Sequence, residues 1–224
     1  MAEKIKVPAG VYDMVTRCME QEFPDHVAIR YVAEDGKTVV EKKYREYAQD
    51  IRRMVAYLKA EVPDIKGQRI VLLSRNCYEF CVASFGIILA GGVLVTLNQK
   101  KTWDELSWEL ELAEPALILN DGVDYGCRDQ LEAAYGERLR PMDAWKDTAP
   151  GGLEKKIDPN ALMVMLFTSG TTGRSKGVML SQKNLFSAMP AFLNPFDDVK
   201  KYTGWNTDEF SSLSALPMFH ISAM

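Results

Sequence analysis

The 224-residue chain is predicted to be an α/β protein, with a mostly parallel sheet flanked by helices. Three observations carry that reading. From Arg69 to Asn120, short apolar runs alternate with longer segments of helical periodicity, the rhythm of a parallel sheet. The twenty uncharged residues Phe80 to Gln99 are split by Gly91-Gly92 into a helix-like and a strand-like half, part of a βαβ unit. The seven residues Ala161 to Phe167 carry no charge and run into a loop of glycines and hydroxyls, as a buried strand does.

In chain order, Val11, Met14, Val15, Cys18 and Met19 recur at helical spacing, which predicts an amphipathic helix over Val11–Glu22. Val27–Val32 and Thr38–Lys43 flank Glu34-Asp-Gly-Lys37, a hairpin signal. Tyr44, Tyr47, Ala48, Ile51, Met54, Val55 and Leu58 mark a second helix. Arg69–Leu73 is a buried strand, Cys77–Leu89 a buried helix and Val93–Leu97 the next strand. Thr102-Trp-Asp-Glu105 is a capping box that opens a helix to about Leu112, and Pro115 precedes the strand Ala116–Asn120. Asp147–Asn160 is a polar connector. The expected division is residues 1–146 as a first α/β sheet subdomain, 147–160 as the connector, and 161–224 as the phosphate-loop segment opening a second subdomain. Val178–Leu180 is a short strand, and Ser181 N-caps a helix through about Ala188. Residues 192–209 read as irregular, and Ser211–Leu216 as a strand ending in Pro217-Met-Phe-His220.

Composition excludes several classes. Hydrophobic residues are 47% and charged residues 26% of the chain, enough for a core. A net charge of −4 without a basic block argues against nucleic acid as a partner. Phe80–Gln99 has the length of a membrane span, but the Gly-Gly interruption and polar end favour a soluble core, so no transmembrane segment is expected. Cys18, Cys77, Cys81 and Cys127 form no zinc pattern and read as buried reduced thiols of a cytoplasmic protein. The polar start of the chain has no signal-peptide core.

The loop after Phe167 reads Thr168-Ser-Gly-Thr-Thr-Gly173-Arg-Ser-Lys176-Gly177. Glycines let a ligand approach the backbone, exposed N–H groups cradle anionic oxygens, and a lysine adds a point charge. Together they ask for a polyphosphate. The Walker pattern fails, because Ser175 precedes the lysine and Gly177 follows it, and no G-x-G-x-x-G is present here. A plain surface loop after an ordinary strand is the alternative. The stretch resembles the signature of the adenylate-forming superfamily, Thr-Ser-Gly-Thr-Thr-Gly-x-Pro-Lys-Gly-Val, which includes acyl- and aryl-CoA ligases, luciferases and peptide-synthetase adenylation domains. Ser175 stands where proline is commonest. Leu216-Pro-Met-Phe-His220 resembles the superfamily's next motif, in the form that carries His and is found in CoA ligases. Leu89–Asn98 adds weaker support.

The resemblance implies the N-terminal part of the large adenylate-forming domain, as a piece of a longer ligase. It further implies ATP-dependent activation of a carboxylic acid, foremost a fatty acid, to acyl-AMP and then acyl-CoA. The small-molecule carboxylate, ATP and CoA would be the partners, with Mg as the metal. The backbone of Ser169, Gly170, Thr171, Thr172 and Gly173 and the two threonine hydroxyls would hold phosphates. Thr168 would hold Mg, Lys176 would neutralise the leaving pyrophosphate, and His220 would border the acyl pocket. Such a piece alone is expected to be inactive. Its aromatic residues Phe192, Phe196, Trp205, Phe210 and Phe219 would be partly uncovered, giving a homodimer or a loosely ordered C-terminal part. Three alternatives stay open: a non-catalytic nucleotide-binding module, adenylation of an aryl or amino acid, and a purely structural domain. Nucleotide titration separates binding from structure.

Overall fold

The computed structural model describes residues 8–155, 157–168, 173–190, 212–214 and 216–220. Its centre is a six-stranded sheet of β3 (Arg69–Leu73), β4 (Val93–Thr96), β5 (Leu117–Asn120), β6 (Leu139–Pro141), β7 (Leu162–Thr168) and β8 (Lys176–Ser181). The spatial order is β6-β5-β3-β4-β7-β8, parallel throughout except for the antiparallel pair β7–β8. Before it come β1 (Val27–Val32) and β2 (Val39–Lys43), a separate antiparallel hairpin. Its turn uses Gly36 at φ 68°, and the Asp35 carboxylate accepts the N–H groups of Lys37 and Thr38 at 2.8 Å each.

Both faces of the sheet are buried, and the period of two along each strand says how. Ile70, Leu72, Leu94, Leu117, Leu119, Val164 and Leu166 face α2 (Tyr44–Glu61) and α3 (Tyr78–Leu89). Val71, Leu73, Val93, Val95, Ile118 and Met165 face α4 (Trp103–Ala113) and α5 (Arg128–Tyr135). A strand buried on both faces must be apolar at every position, which is why these strands read as continuous runs. The expected strand 161–167 is β7, shifted by one residue and lying between β4 and β8. The capping box at Thr102 forms as predicted, with Glu105 reaching back to the Thr102 N–H at 3.2 Å. Ser181 caps a helix over 182–190, its hydroxyl accepting the Asn184 N–H at 3.2 Å. The uncharged segment Phe80–Gln99 divides into α3 and β4, and among the described residues no helix is long and apolar enough to cross a membrane.

Four readings change. The first helix is α-helical only over α1 (Val11–Asp13) and continues as a π-helix over Met14–Glu22, closed by the Phe23 N–H on the Cys18 carbonyl. Val11, Val15 and Met19 are buried four residues apart, a spacing that suits the wider π turn as well as the α turn. The expected strand Ser211–Leu216 is not formed in the described residues 212–214 and 216. Leu213 and Leu216 are exposed there, and β4 already has β3 and β7 as ladder partners. Three of the four cysteines are half-buried rather than buried, and only Cys127 is enclosed; all four are free thiols. The helix α5 and the three-residue strand β6 were not anticipated, since their short pattern lies inside a polar stretch. Residues 192–209 lie outside the described residues, as do Phe192, Phe196, Trp205 and Phe210, while Phe219 is half-buried.

Candidate active site at the carboxyl end of the sheet

After β4 the chain crosses through α4 to β5, on the far side of β3. After β7 it turns the other way, to β8. The two outgoing connections leave the carboxyl ends of β4 and β7 in opposite directions, which makes this a topological switch point. Ligands of open α/β sheets bind at such a point.

Both sequence motifs reach this point. Thr168 is the last residue of β7, exposed and opposite Lys176 in the β7–β8 register. Gly173 sits at φ 137°, a backbone conformation that side chains disfavour. Lys176 opens β8 with its side chain exposed. Gly177 has no room for a side chain, because a Cβ there would stand 2.4 Å from Met165 Cε. Ser169, Gly170, Thr171 and Thr172 lie outside the described residues. The loop's returning limb is anchored to α4. The Trp108 indole N–H donates to the Ser175 carbonyl at 3.1 Å, and the Arg174 guanidinium lies 4.5 Å above the Trp108 ring.

The Leu216–His220 turn is held by different residues. The Asn76 amide donates to the Leu216 carbonyl at 2.8 Å, and its oxygen accepts the Met218 N–H at 2.8 Å. Thr96, buried at the end of β4, donates its hydroxyl to the Phe219 carbonyl at 2.9 Å. Thr96 pairs with Leu166 in the sheet, two residues before Thr168. The turn therefore rests on the strand end next to the one that carries the loop. It closes on itself through the His220 N–H to the Pro217 carbonyl at 3.0 Å, and the His220 side chain is exposed.

Sequence reasoning singled out neither Asn76 nor Trp108 nor Asp121. Asp121 follows β5 and accepts the Arg75 N–H at 2.9 Å and the Tyr125 hydroxyl at 2.7 Å, fixing the loop that presents Asn76. Partial burial first, and then the bond to Asp121, push the Tyr125 phenol up to about 12. Cys81 lies 3.9 Å from the Met218 sulfur. Burial first, and then Cys77, push the Cys81 thiol up to about 12, so it behaves as an inert apolar contact under the turn. Among the described residues no cluster of His, Cys, Asp and Glu could hold a metal ion.

A 2-succinylbenzoate–CoA ligase of Bacillus cereus (strain AH820) is 29% identical over 160 residues, covering 71% of this chain and 30% of that protein. The o-succinylbenzoate CoA synthetase of Bacillus subtilis, solved with its acyl-adenylate intermediate, superposes with a TM-score of 0.73 at 27% identity. That match covers 92% of this chain and 39% of the synthetase. The same synthetase solved with ATP and magnesium ion superposes with a TM-score of 0.72 at 24% identity, over 92% and 51% of the two chains, a likeness of fold. The chain spans between 30% and 39% of the length of such curated relatives. The family model described as AMP-binding enzyme matches residues 17–224, and with the two motifs side by side at the carboxyl end of the sheet, the chain belongs to that family.

Proposed function

We propose that the protein carrying this chain is an acid–CoA ligase that activates a carboxylic acid through an acyl-adenylate. The observation that carries the reading is the convergence of two motifs on neighbouring strand ends. The Thr168–Lys176 loop leaves β7, and the Leu216–His220 turn is bonded to the neighbouring strand end through Thr96.

In the proposed first step a carboxylate oxygen attacks the α-phosphorus of ATP. The bond from that phosphorus to the bridging oxygen breaks, and pyrophosphate leaves. In the second step the sulfur of CoA attacks the acyl carbon, AMP leaves, and the thiol proton passes to solvent. The first step crowds anionic oxygens together, so preorganised donors and cations supply most of the help. The amides of residues 169–173 and the hydroxyls of Thr171 and Thr172 hold the β- and γ-phosphates. Lys176, exposed at the start of β8, neutralises the pyrophosphate. His220 borders the acid.

Thr168 would be the residue to hold a magnesium ion, because it is exposed at the end of β7, where the loop begins, and its side chain carries a hydroxyl oxygen. One protein oxygen suffices where phosphate oxygens and water complete the shell. The ion would polarise the phosphoryl oxygens when bound.

A fatty acid is the first reading of the substrate, although the two motifs are common to acyl- and aryl-CoA ligases. An aryl acid is the second reading, favoured by the 2-succinylbenzoate–CoA ligase among the relatives. Pyrophosphate exchange into ATP, run with a panel of fatty, aryl and amino acids on the protein that carries this chain, tests both. Exchange that depends on a fatty or aryl acid, followed by thioester formation with CoA, is the expected result. Exchange with amino acids alone, or with no acid at all, would overturn the ligase reading.

A further inference from the structure

We propose that Trp108 is a positioning residue for the phosphate loop, and that it replaces the constraint a proline would give at position 175. The proposal rests on the reading of residues 168–177 as a phosphate loop. Three observations support it. First, Trp108 makes two contacts with the returning limb, the hydrogen bond to the Ser175 carbonyl and the stack under Arg174. These bracket the residue before Lys176. Second, the helix that carries Trp108 is a firm platform. Leu106 and Leu110 are buried in the core, and Glu109 is fully buried with Lys101 as its ion-pair partner. A side chain on such a helix fixes what it touches. Third, Ser175 lacks what a proline supplies. The proline ring locks φ near −65°, whereas a serine backbone is unrestrained. Ser175 lies just outside the ladder, which begins with Lys176 opposite Thr168, so a proline there would cost no ladder bond.

The clamp is made before any ligand arrives. Its loss therefore adds the same ordering cost to the bound ground state and to the transition state. Such a change raises KM for the nucleotide and leaves kcat alone. It should leave KM for the acid alone as well, since the acid lies on the side of the turn held by Asn76.

Two measurements on the protein that carries this chain decide it. The first needs no ligand: hydrogen exchange of the amides in 173–177, compared between wild type, Trp108→Phe and Trp108→Ala. Loss of both contacts should speed exchange about tenfold, and loss of the hydrogen bond alone about threefold. Unchanged exchange would overturn the clamp. The second is steady-state kinetics. Trp108→Ala should raise KM for Mg-ATP about tenfold, with kcat and KM for the acid within about twofold. Adding Ser175→Pro to Trp108→Phe should restore most of the lost affinity. A general structural role would instead shift all three parameters and would not be rescued, which would overturn the positioning role. If wild type shows no dependence on Mg-ATP, the phosphate-loop reading falls and the positioning role with it, while the exchange measurement still decides whether the clamp exists.

Discussion

The two ends of the parallel sheet are built differently. At the amino end several ties run backbone to backbone, beside the Arg138 side chain, which donates to the Pro115 carbonyl at 3.1 Å. The Gly67 N–H donates to the Gly91 carbonyl at 2.8 Å, Val93 to Gln68 at 2.8 Å, and Ala116 to Arg69 at 2.9 Å. At the carboxyl end, beside backbone bonds such as the Met142 N–H to the Asn120 carbonyl at 2.8 Å, side chains reach across to hold the backbone of distant segments: Asn76 and Thr96 on the 216–220 turn, and Trp108 on the 168–177 loop. A backbone tether does not depend on which side chain is present, so it serves stability. A side-chain tether makes one residue control one loop, and so it belongs where loop position sets chemistry. Substitutions at the two ends should therefore fail in different ways.

The largest separation is expected at Lys176. Its side chain is exposed, so Lys176→Ala should leave the thermal melt nearly unchanged. Losing one aimed electrostatic group should slow carboxylate-dependent pyrophosphate exchange by about 10² to 10³. Full exchange activity in the variant would remove Lys176 from the site. The opposite signature is expected at the amino end. Gly91 has φ 91°, so Gly91→Ala should cost about 1–2 kcal/mol of stability, read as a lower melting temperature with unchanged kinetic constants. A Gly91→Ala variant with altered KM values and an unchanged melt would break the contrast.

A smaller effect is expected at Asn76. Asn76→Ala removes two hydrogen bonds to the turn and should raise KM for the acid about tenfold, with little change in KM for Mg-ATP. Equal rises in both constants would show that the two loops are not held independently. The smallest effect concerns Tyr125, whose phenol is raised from the ordinary 10 to about 12 in the folded protein. The folded state favours the protonated form, so this contribution to stability is complete below about pH 10 and is lost as pH rises toward 12. Residue-resolved titration should show Tyr125 ionising late, as buried Tyr47 and Tyr78 do, and Asp121→Asn should shift the Tyr125 midpoint alone. A midpoint unmoved by that change would separate the Asp121 bond from the shift.

Much of the fold was legible because burial on both faces leaves a local trace. The uncharged run 161–167 could only be an enclosed strand, and Gly91-Gly92 marked the change from α3 to β4 without help from distant residues. The hairpin turn at Glu34–Lys37 and the capping box at Thr102 are equally local. The π-helix was not legible, since burial every four residues fits two helix types. Of the candidate site, the loop and the His220 turn were visible as motifs. What holds them was not. Asn76 reads as one polar residue in a loop, and its bonded partner Leu216 is 140 residues away. Trp108 reads as one face of an amphipathic helix, and its partner Ser175 is 67 residues away. Such pairs exist only once the parallel strands have brought their carboxyl ends together.

The most direct test of the central claim, that nucleotide phosphates bind at the carboxyl end of the sheet, is hydrogen exchange with and without Mg-ATP on the protein that carries this chain. Protection should appear in 168–177, with none at 63–67 and 91–92. Protection at the amino end, or no protection in 168–177 at saturating nucleotide, would contradict it.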